Sequence, residues 1–408
     1  MVVAAVFSAL LLAYTLVSRR LEGSPVSAAL VFAGGGLLTG IAGGAHLSVH
    51  DLSATAGDVV RVLAELALAL ILFADASTIG LRRARAELRL PDRLLGIGLP
   101  LTIGAGVLVA TALLGGLEIW LCVLLAALLA PTDAALAAAV VSDERVPVHV
   151  RRGLDIEAGL NDGVCVPVVV FALAAAVATE GSPDTTLVHE ALLTIVGGTA
   201  VGVVTGSIGG RLLALAARHG TIANEARPFA AAALAFATFF AADILGASGF
   251  IAAFVAGLFA ARWLGENRAA LLQFTERDGT LLSFAVFFAF GILAAGVLGD
   301  LTLAEGVYAV LSLTLVRMVP VAIALLGTGL RAPSVAFMGW FGPRGIATIA
   351  LLLVAAGEEP DLAGLDVVTR TVAATVLLSI VLHGMSAPAL VGRYGRWARG
   401  LPAGSPEG

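Results

Sequence analysis

Apolar runs long enough to cross a lipid bilayer recur along this chain from its first residues to its last. A transmembrane helix needs about 20 consecutive, mostly apolar residues. Only 13% of the 408 residues are charged, whereas a soluble domain of this length carries about 25%. Because lipid offers the backbone no hydrogen-bond partner, such runs must form helices that satisfy their own peptide groups. The sequence therefore predicts an all-α polytopic membrane protein.

The apolar runs divide the chain into about thirteen predicted spans. No removable signal peptide pattern precedes the first span, and both cysteines fall inside apolar runs, which is typical of small core residues rather than of a disulfide or a metal site. The predicted spans cover residues 2–18, 25–44, 57–78, 94–115, 117–141, 153–179, 187–217, 228–244, 246–263, 275–297, 302–328, 333–357 and 368–391.

The basic residues of the chain are all arginines, and their distribution indicates an orientation. Cytoplasmic connections of membrane proteins carry an excess of positive charge. The odd-numbered connections hold most of the arginines, from Arg19 in the first to Arg331 in the eleventh, and the segment after the last span adds three more. We therefore expect the amino terminus outside the cell, the carboxyl terminus in the cytoplasm and an odd number of spans.

Two of the predicted spans are interrupted at membrane depth. The fifth contains Pro131-Thr132-Asp133, and the twelfth contains Gly342-Pro343-Arg344-Gly345. The odd separation of the two spans makes them run in opposite directions. Paired interrupted helices in two halves are typical of transporters built from inverted repeats, with the binding site near the bilayer midplane. Pairing spans 1–6 with spans 8–13 leaves the seventh as a linker.

Ionisable side chains at the first interruption are candidate functional residues. A charge at the bilayer centre costs about 2.5–3.5 kcal/mol even on a lenient scale, so it persists where it pairs or binds an ion. Pro131 breaks the helix and frees carbonyl oxygens, which suit a hard cation, and Asp133 adds a carboxylate. A proline kink with Asp133 near the interface is the alternative interpretation.

The sixth span carries a second cluster. Glu157 and Asn161 are four residues apart on one helix face, and Ala158 and Asp162 share the neighbouring face. Asp162 lies deep in the run on a face with a small residue, where an ion could approach, and Asn161 offers a neutral oxygen beside it. Glu157 is also explained in part as an acid near a helix N-terminus, but that explanation does not cover Asp162.

Two arginines lie inside apolar spans and need another explanation. Arg317 cannot lose its charge, so it requires a fixed acid. Glu157 is the candidate, because Asp162 should stay able to titrate. Arg344 is expected to balance helix ends or the aspartate of the other interruption. For both arginines we favour structural ion pairing over direct transport chemistry. His383, near the end of the last predicted span, is interpreted as structural rather than pH-sensitive.

Taken together, these motifs resemble those of the NhaP-type sodium/proton antiporters, within the monovalent cation:proton antiporter family. The matching elements follow the family's order from the fifth span to the last and cover most of the chain. They are Pro131-Thr132-Asp133, Glu157-x-x-x-Asn161-Asp162-Gly163, Ser248-Gly249-Phe250 with Gly257, Arg317 with Pro320, Gly342-x-Arg344-Gly345, and His383-Gly384.

The resemblance implies the NhaA-like antiporter fold, with about 13 transmembrane helices in an inverted repeat and two crossed broken helices. It also implies a homodimer in which a core domain moves against a dimerisation domain. We then expect residues 1–91 and 181–300 to form the dimerisation domain, residues 92–180 and 301–397 to form the core transport domain, and residues 398–408 to form a short cytoplasmic tail.

The same resemblance assigns roles to the candidate residues. Asp162 would bind the cation and the proton in competition, and Thr132 and Asp133 would complete the site through a backbone oxygen and water. Asn161 followed by Asp162, in place of two adjacent aspartates, resembles the electroneutral branch that exchanges one cation for one proton. Glu157 and Arg317 would form a structural ion pair.

Ala158 departs from the family pattern, which often has serine directly after the glutamate. The family resemblance implies sodium or lithium as the cation. The methyl group of Ala158 removes one expected ligand, which favours potassium as the alternative on the same scaffold. A gated cation channel and an intramembrane hydrolase are alternatives from other classes, although the histidines offer a hydrolase poor partners at membrane depth.

We expect no enzyme activity and no cofactor. The expected partners are the transported cation, the proton, the lipid bilayer and a second copy of the chain, without nucleic acid. The expected location is the plasma membrane of a prokaryote.

Overall fold

The computed structural model describes residues 2–21, 24–43, 57–79, 89–180, 185–223, 225–226, 229–264, 268–359, 361–402 and 405–407, and all structural statements below refer to these ranges. Within them, all regular structure is helical. The α-helices are α1 (Val2–Leu21), α2 (Ala28–Ala42), α3 (Gly57–Ile79), α4 (Arg89–Arg93), α5 (Leu99–Leu113), α6 (Ile119–Leu128), α7 (Ala134–Val141), α8 (Val148–Glu180), α9 (Thr185–Arg218), α10 (Ala230–Ile244), α11 (Gly249–Leu264), α12 (Arg268–Val297), α13 (Leu303–Leu313), α14 (Leu315–Ala324), α15 (Ala332–Trp340), α16 (Ile346–Glu358) and α17 (Leu365–Ala398).

Each of the predicted spans contains a helix, so the all-α prediction is confirmed. In the described ranges, 7 helical stretches are long and apolar enough to cross a membrane, and several shorter apolar helices accompany them. A π-helical turn at Leu94–Gly98 joins α4 to α5, so that the two form one of these long stretches. Within the third connection, residues 80–88, with the arginines at 82, 83 and 85, lie outside the described residues.

Both predicted interruptions are present. The fifth span is divided into α6 and α7, and the twelfth is divided into α15 and α16. The eleventh span is also divided, between α13 and α14 at Thr314, which the sequence analysis did not predict. The Thr314 hydroxyl donates a hydrogen bond to the Val310 carbonyl at 2.7 Å. Such local bonds from Thr compete with the regular ladder and bend helices.

The last helix is longer than predicted. The predicted span ends at residue 391, whereas α17 continues to Ala398. His383, which the prediction placed near the end of the helix, is therefore well inside it and is only 2% exposed. The apolar run ends at the arginines that follow residue 391, but helical hydrogen bonding does not depend on apolar side chains, so the helix continues past them.

The chain divides into two compact units. The first comprises residues Met1–Arg61, Arg85–Asn161 and Phe284–Gly408. One apolar core of this unit is formed by side chains from α14, α15 and α17, among them Val321, Met338 and Val391, each at most 1% exposed. The predicted division into dimerisation and core transport domains stays a prediction.

The second unit comprises residues Val62–Ala84 and Asp162–Ser283, and a stripe of glycines organises it. Four glycines, spaced four residues apart on α9, face the backbone of α11. A Cβ at Gly202 would lie 2.5 Å from the Ala252 carbonyl oxygen, and one at Gly210 would lie 2.7 Å from the Ala260 Cα. Only glycine permits such an approach, as in other closely packed membrane helices. The four positions are Gly198, Gly202, Gly206 and Gly210.

The turn between α10 and α11 belongs to the same unit. The predicted spans on its two sides, 228–244 and 246–263, are separated by one residue. Gly246 has φ +68°, a left-handed conformation that residues with a Cβ rarely adopt. The Leu245 and Ala247 N–H groups both donate to the Ala242 carbonyl, at 3.0 and 2.9 Å, which closes the end of α10.

Candidate functional site

The two helix interruptions meet each other in the first unit. The Asp133 N–H, at the start of α7, donates a hydrogen bond to the Pro343 carbonyl at 2.7 Å. Pro131 lacks an N–H, so the chain leaves helical geometry between α6 and α7, and the freed backbone groups find partners across the crossing. Irregular backbone at membrane depth is tolerated when it is enclosed by protein in this way.

The Asp133 carboxylate closes the N-termini of two helices. Its Oδ1 accepts from the Leu136 N–H at 2.9 Å, which is an N-cap of its own helix α7. Its Oδ2 accepts from the Ile346 N–H at 2.6 Å, at the start of α16. A carboxylate is the preferred group at a helix N-terminus, where the dipole is positive. Asp133 therefore fixes the relative position of the two half-helices, besides any role in ion binding.

Arg344 binds backbone carbonyls beyond the C-terminus of a helix. Its Nη1 donates to the carbonyls of Ala130 and Pro131 at 2.6 and 2.9 Å, just beyond the end of α6. A cation is favourable at a helix C-terminus, where carbonyls without intrahelical partners accumulate. Arg344 is 0% exposed, so the crossing holds a buried positive group and a buried negative group on opposite helix ends.

Two glycines of the second interruption permit the close approach. A Cβ at Gly345 would overlap the Asp133 carboxylate. A Cβ at Gly342 would lie 2.6 Å from Arg317 Nε and 3.1 Å from Thr132 Cγ2. Glycine is required at both positions because the neighbouring side chains are held in place by hydrogen bonds and cannot move away from a Cβ. Arg317 and Thr132 therefore both lie beside Gly342.

Arg317 forms a two-pronged ion pair with Glu157. The Nη1–Oε1 distance is 2.6 Å and the Nη2–Oε2 distance is 2.8 Å. Both side chains are 1% exposed. The fixed cation and the fixed acid cancel each other where neither can reach water.

Asn161 connects α8 to the first interruption. Its Nδ2 donates to Thr132 Oγ1 at 2.7 Å, and the residue is 0% exposed. Its Oδ1 is buried and has no hydrogen-bond partner within the described ranges. Since the amide orientation is fixed by Thr132, this oxygen is presented as a neutral acceptor, which is the type of group that can coordinate a cation.

Asp162 follows Asn161 directly in α8 and is 5% exposed. Asn161 is the last residue of the middle segment of the first unit, and Asp162 is the first residue of the second segment of the second unit. In the second unit, the Phe254 ring packs against Gly163 so closely that a Cβ there would overlap it. Ala158, one turn earlier in α8, is 3% exposed, so the missing serine hydroxyl belongs to a buried position.

Ser379 and His383 of α17 support the second interruption, and the sequence analysis missed the first of them. The Arg344 N–H donates to Ser379 Oγ at 2.7 Å. His383 Nε2 lies 2.8 Å from the Trp340 carbonyl at the end of α15, and Nδ1 lies 3.2 Å from Ser379 Oγ. Nδ1 also lies 2.9 Å from the Ser379 carbonyl, and since both carbonyls can only accept, the tautomer of the imidazole decides which of them receives its N–H. The i, i+4 spacing of Ser379 and His383 was the available sequence signal.

The structure thus brings Thr132, Asp133, Asn161 and Arg344 together around the crossing and places the Glu157–Arg317 pair against it. In the described part of the chain, His, Cys, Asp and Glu form no group of three that could hold a metal ion. Within the first unit, the cluster therefore combines neutral oxygens with charges that are paired or placed at helix ends.

Comparison with known proteins agrees with this arrangement. Residues 6–393 match the family described as sodium/hydrogen exchanger, transmembrane. A relative from Escherichia coli (strain K12), the uncharacterized Na(+)/H(+) exchanger YjcE, is 30% identical over 180 residues, which are 43% of this chain and 33% of that protein.

Two structures of the sodium proton antiporter MjNhaP1 from Methanocaldococcus jannaschii share the fold. One, at pH 8, has a TM-score of 0.76 at 19% identity and covers 97% of this chain and 99% of that one. The other, an electron microscopy structure, has a TM-score of 0.70 at 20% identity and covers 96% and 97%. The predicted family and fold are both confirmed. The chain belongs to the family of transmembrane sodium/hydrogen exchangers.

Proposed function

We propose that this protein exchanges a monovalent cation for a proton across the membrane by competition at Asp162. The observation that carries the proposal is the buried Asn161 amide, whose oxygen has no hydrogen-bond partner in the described ranges and which directly precedes a buried aspartate. Two further buried acids belong to the cluster. Asp133 accepts from two helix N-termini, and Glu157 is paired with Arg317.

Competition follows from the energetics of a buried carboxylate. An ionised carboxylate moved through the apolar barrier costs about 2.5–3.5 kcal/mol or more. Binding a proton or a monovalent cation neutralises Asp162 and removes this cost. A proton and a cation neutralise the same carboxylate, so the binding of one excludes the other. Only the loaded carrier then crosses readily, and the two substrates must exchange.

The stoichiometry follows from the number of titrating acids. With Glu157 balanced by Arg317 and Asn161 neutral, Asp162 alone changes its occupant. One carboxylate binds one proton or one monovalent cation, so we propose electroneutral exchange of one for one. Thr132 and Asp133 would contribute a backbone oxygen and a water contact to the cation.

Sodium or lithium is the proposed cation, because the family is named for sodium exchange and small cations suit carbonyl and carboxylate oxygens. Potassium is the alternative, favoured by Ala158. Ala158 has a methyl group at this buried position, where serine would have a hydroxyl. That hydroxyl could act as a ligand in place of one water of a small, strongly hydrated ion. A larger, less strongly hydrated ion loses less by its absence.

A cavity with both polar and apolar lining residues lies on the side of α7 in the first unit. It has a volume of about 200 Å³ and reaches Leu136, whose N–H donates to Asp133. Asp143 and Arg145 also line it and form an exposed ion pair at 2.7 Å. The hydrogen bond from the Arg145 guanidinium holds the pKa of Asp143 below its usual value, so this carboxylate stays ionised in mild acid.

For the assembly, we propose a homodimer in the plasma membrane of a prokaryote, with the amino terminus outside and the carboxyl terminus in the cytoplasm. The arginine distribution supports the orientation, since the connections that would be cytoplasmic carry most of the positive charge. In this orientation the cavity beside Asp143 faces the cytoplasm. Cross-linking of single introduced cysteines by impermeant reagents checks the orientation.

The test replaces Asp162 by Asn in the full-length protein. Purified wild type and variant are reconstituted into liposomes with a trapped pH indicator, and an inward gradient of sodium, lithium or potassium is applied. We expect the wild type to alkalinise the lumen, because the cation that enters is exchanged for a proton that leaves, and Asp162→Asn to lose this response at every cation concentration. The cation series in the wild type separates sodium or lithium from potassium.

Asp243→Asn is the matched control, because it is the same Asp-to-Asn substitution at an exposed position of α10. It should retain full exchange. Exchange that persists in Asp162→Asn would overturn the proposal. Cation flux in the wild type without coupled proton movement would indicate a channel instead.

A further inference from the structure

An apolar groove lies in the first unit, away from the crossing. It has a volume of about 470 Å³ and is formed by side chains of α14, α15 and α17. Stacked aromatic rings form one wall of the groove. Phe337 stacks on Tyr394 with ring centroids 4.1 Å apart, and Tyr394 stacks on Trp397 at 5.4 Å. Trp340 completes the lining. The volume is in the range of pockets that hold small ligands.

One lining side chain is charged. Arg393 is exposed, lies on the groove and forms no ion pair within the described ranges. None of the lining residues is acidic. A guanidinium binds phosphate through two parallel hydrogen bonds, and its planar form suits the edge of an aromatic wall. The groove therefore pairs an apolar surface with a single anion-binding group.

We propose that this groove binds an anionic phospholipid, with one acyl chain along the aromatic rings and the phosphate on Arg393. The position of Arg393 near the end of a long apolar helix places its guanidinium at the depth of lipid headgroups. Basic pockets between membrane helices are typical sites for anionic headgroups. Any lipid could fill the apolar part, so the charge of Arg393 supplies the selection.

The groove is linked to the second interruption. The Trp340 indole N–H donates to Ser386 Oγ at 2.9 Å, and the Trp340 carbonyl lies 2.8 Å from His383 Nε2. His383 in turn contacts Ser379, which accepts from the Arg344 N–H. A lipid seated against Trp340 would hold the end of α15 in place. Binding is independent of which ion the protein transports, so the two proposals fail separately.

Tryptophan fluorescence provides the test. The chain has 4 tryptophans, and a background with Trp120→Phe and Trp263→Phe keeps only the two that line the groove. The protein is reconstituted in phosphatidylcholine vesicles with increasing fractions of phosphatidylglycerol or phosphatidylcholine brominated on the acyl chain, since bromine quenches fluorescence on contact. We expect brominated phosphatidylglycerol to quench at a markedly lower fraction than brominated phosphatidylcholine.

Arg393→Gln should lower the relative affinity for phosphatidylglycerol about fivefold and leave quenching by phosphatidylcholine unchanged, which also shows that the groove is intact. Arg396→Gln removes the same charge at the same helix end but does not line the groove, and it should retain the preference. Equal quenching by both lipids in the wild type would overturn the proposal. An equal effect of the two substitutions would also overturn it, because the preference would then reflect general surface charge.

Discussion

Replacing Arg317 by Met should destabilise the protein by about 3–5 kcal/mol, because it leaves Glu157 as an uncompensated charge in a dry environment. The pair has two contacts, at 2.6 and 2.8 Å, and each side chain is 1% exposed. Neither water nor a second cation can take the place of the lost guanidinium. The loss corresponds to a change in the unfolding equilibrium of about two to three orders of magnitude.

The assay is equilibrium unfolding in mixed micelles with an increasing fraction of denaturing detergent. Arg145→Met is the matched control, because the Arg145–Asp143 contact has a similar length, 2.7 Å, but the side chains of Arg145 and Asp143 are 55% and 22% exposed. An ion pair that solvent screens contributes little to stability, so this variant should unfold almost like the wild type.

A double variant separates the pair from its surroundings. Glu157→Leu combined with Arg317→Met removes both charges, and replacement of a buried ion pair by apolar residues is often nearly neutral. We expect the double variant to recover most of the stability lost in Arg317→Met. A double variant whose loss equals the sum of the two single losses would refute the reasoning, since it would show that the two residues act independently. So would an Arg317→Met variant within about 1 kcal/mol of the wild type.

Further predictions follow from close packing, charge balance and the carboxyl-terminal segment. Gly345→Ala and Gly202→Ala should each lower the melting temperature, because their Cβ atoms would overlap the Asp133 carboxylate and the α11 backbone. Gly104→Ala, which has no neighbour within 4 Å, should be neutral or stabilising, and equal effects at all three positions would refute the packing argument. In liposomes, an imposed membrane potential should leave the exchange rate unchanged, and a rate that follows the potential would contradict one-for-one exchange. Burial opposes ionisation of Glu407, but hydrogen bonds from the Arg331 N–H and the Ser334 hydroxyl, at 3.0 and 3.2 Å, outweigh it and lower its pKa. Its stabilising contribution should be complete above the ordinary carboxyl pKa and be lost as the pH falls through the lower folded pKa, so the difference in melting temperature between wild type and Glu407→Gln should shrink as the pH falls below the ordinary carboxyl pKa. A difference that is constant with pH would refute this assignment.

The sequence was most informative where a single physical constraint dominates. Lipid forces apolar runs into helices, so the spans could be located from composition alone. Proline at position 131 removes a donor whatever the rest of the fold does, so the break between α6 and α7 could be located too. The division of the eleventh span at Thr314 and the full length of α17 were missed, because neither depends on hydropathy.

The partners of the candidate residues were only partly predictable. The argument that Arg317 needs a fixed acid led to Glu157, since few acids are available at membrane depth, and the structure places the two in contact. Nothing in the sequence indicated that Asp133 closes two helix N-termini at once. That arrangement needs Ile346, which is more than 200 residues away along the chain.

The sequence by itself therefore determined the helical membrane fold, the two interruptions and the set of buried charges, because each follows from what lipid does to a local stretch of chain. Only the tertiary structure decided which helix ends Asp133 and Arg344 close, why Gly342 and Gly345 must lack a Cβ, and that the Asn161 amide is held by Thr132 with its oxygen left to other partners. These are contacts between segments distant in sequence, and their geometry arises from the crossing of two half-helices, which local patterns of hydropathy and charge do not encode.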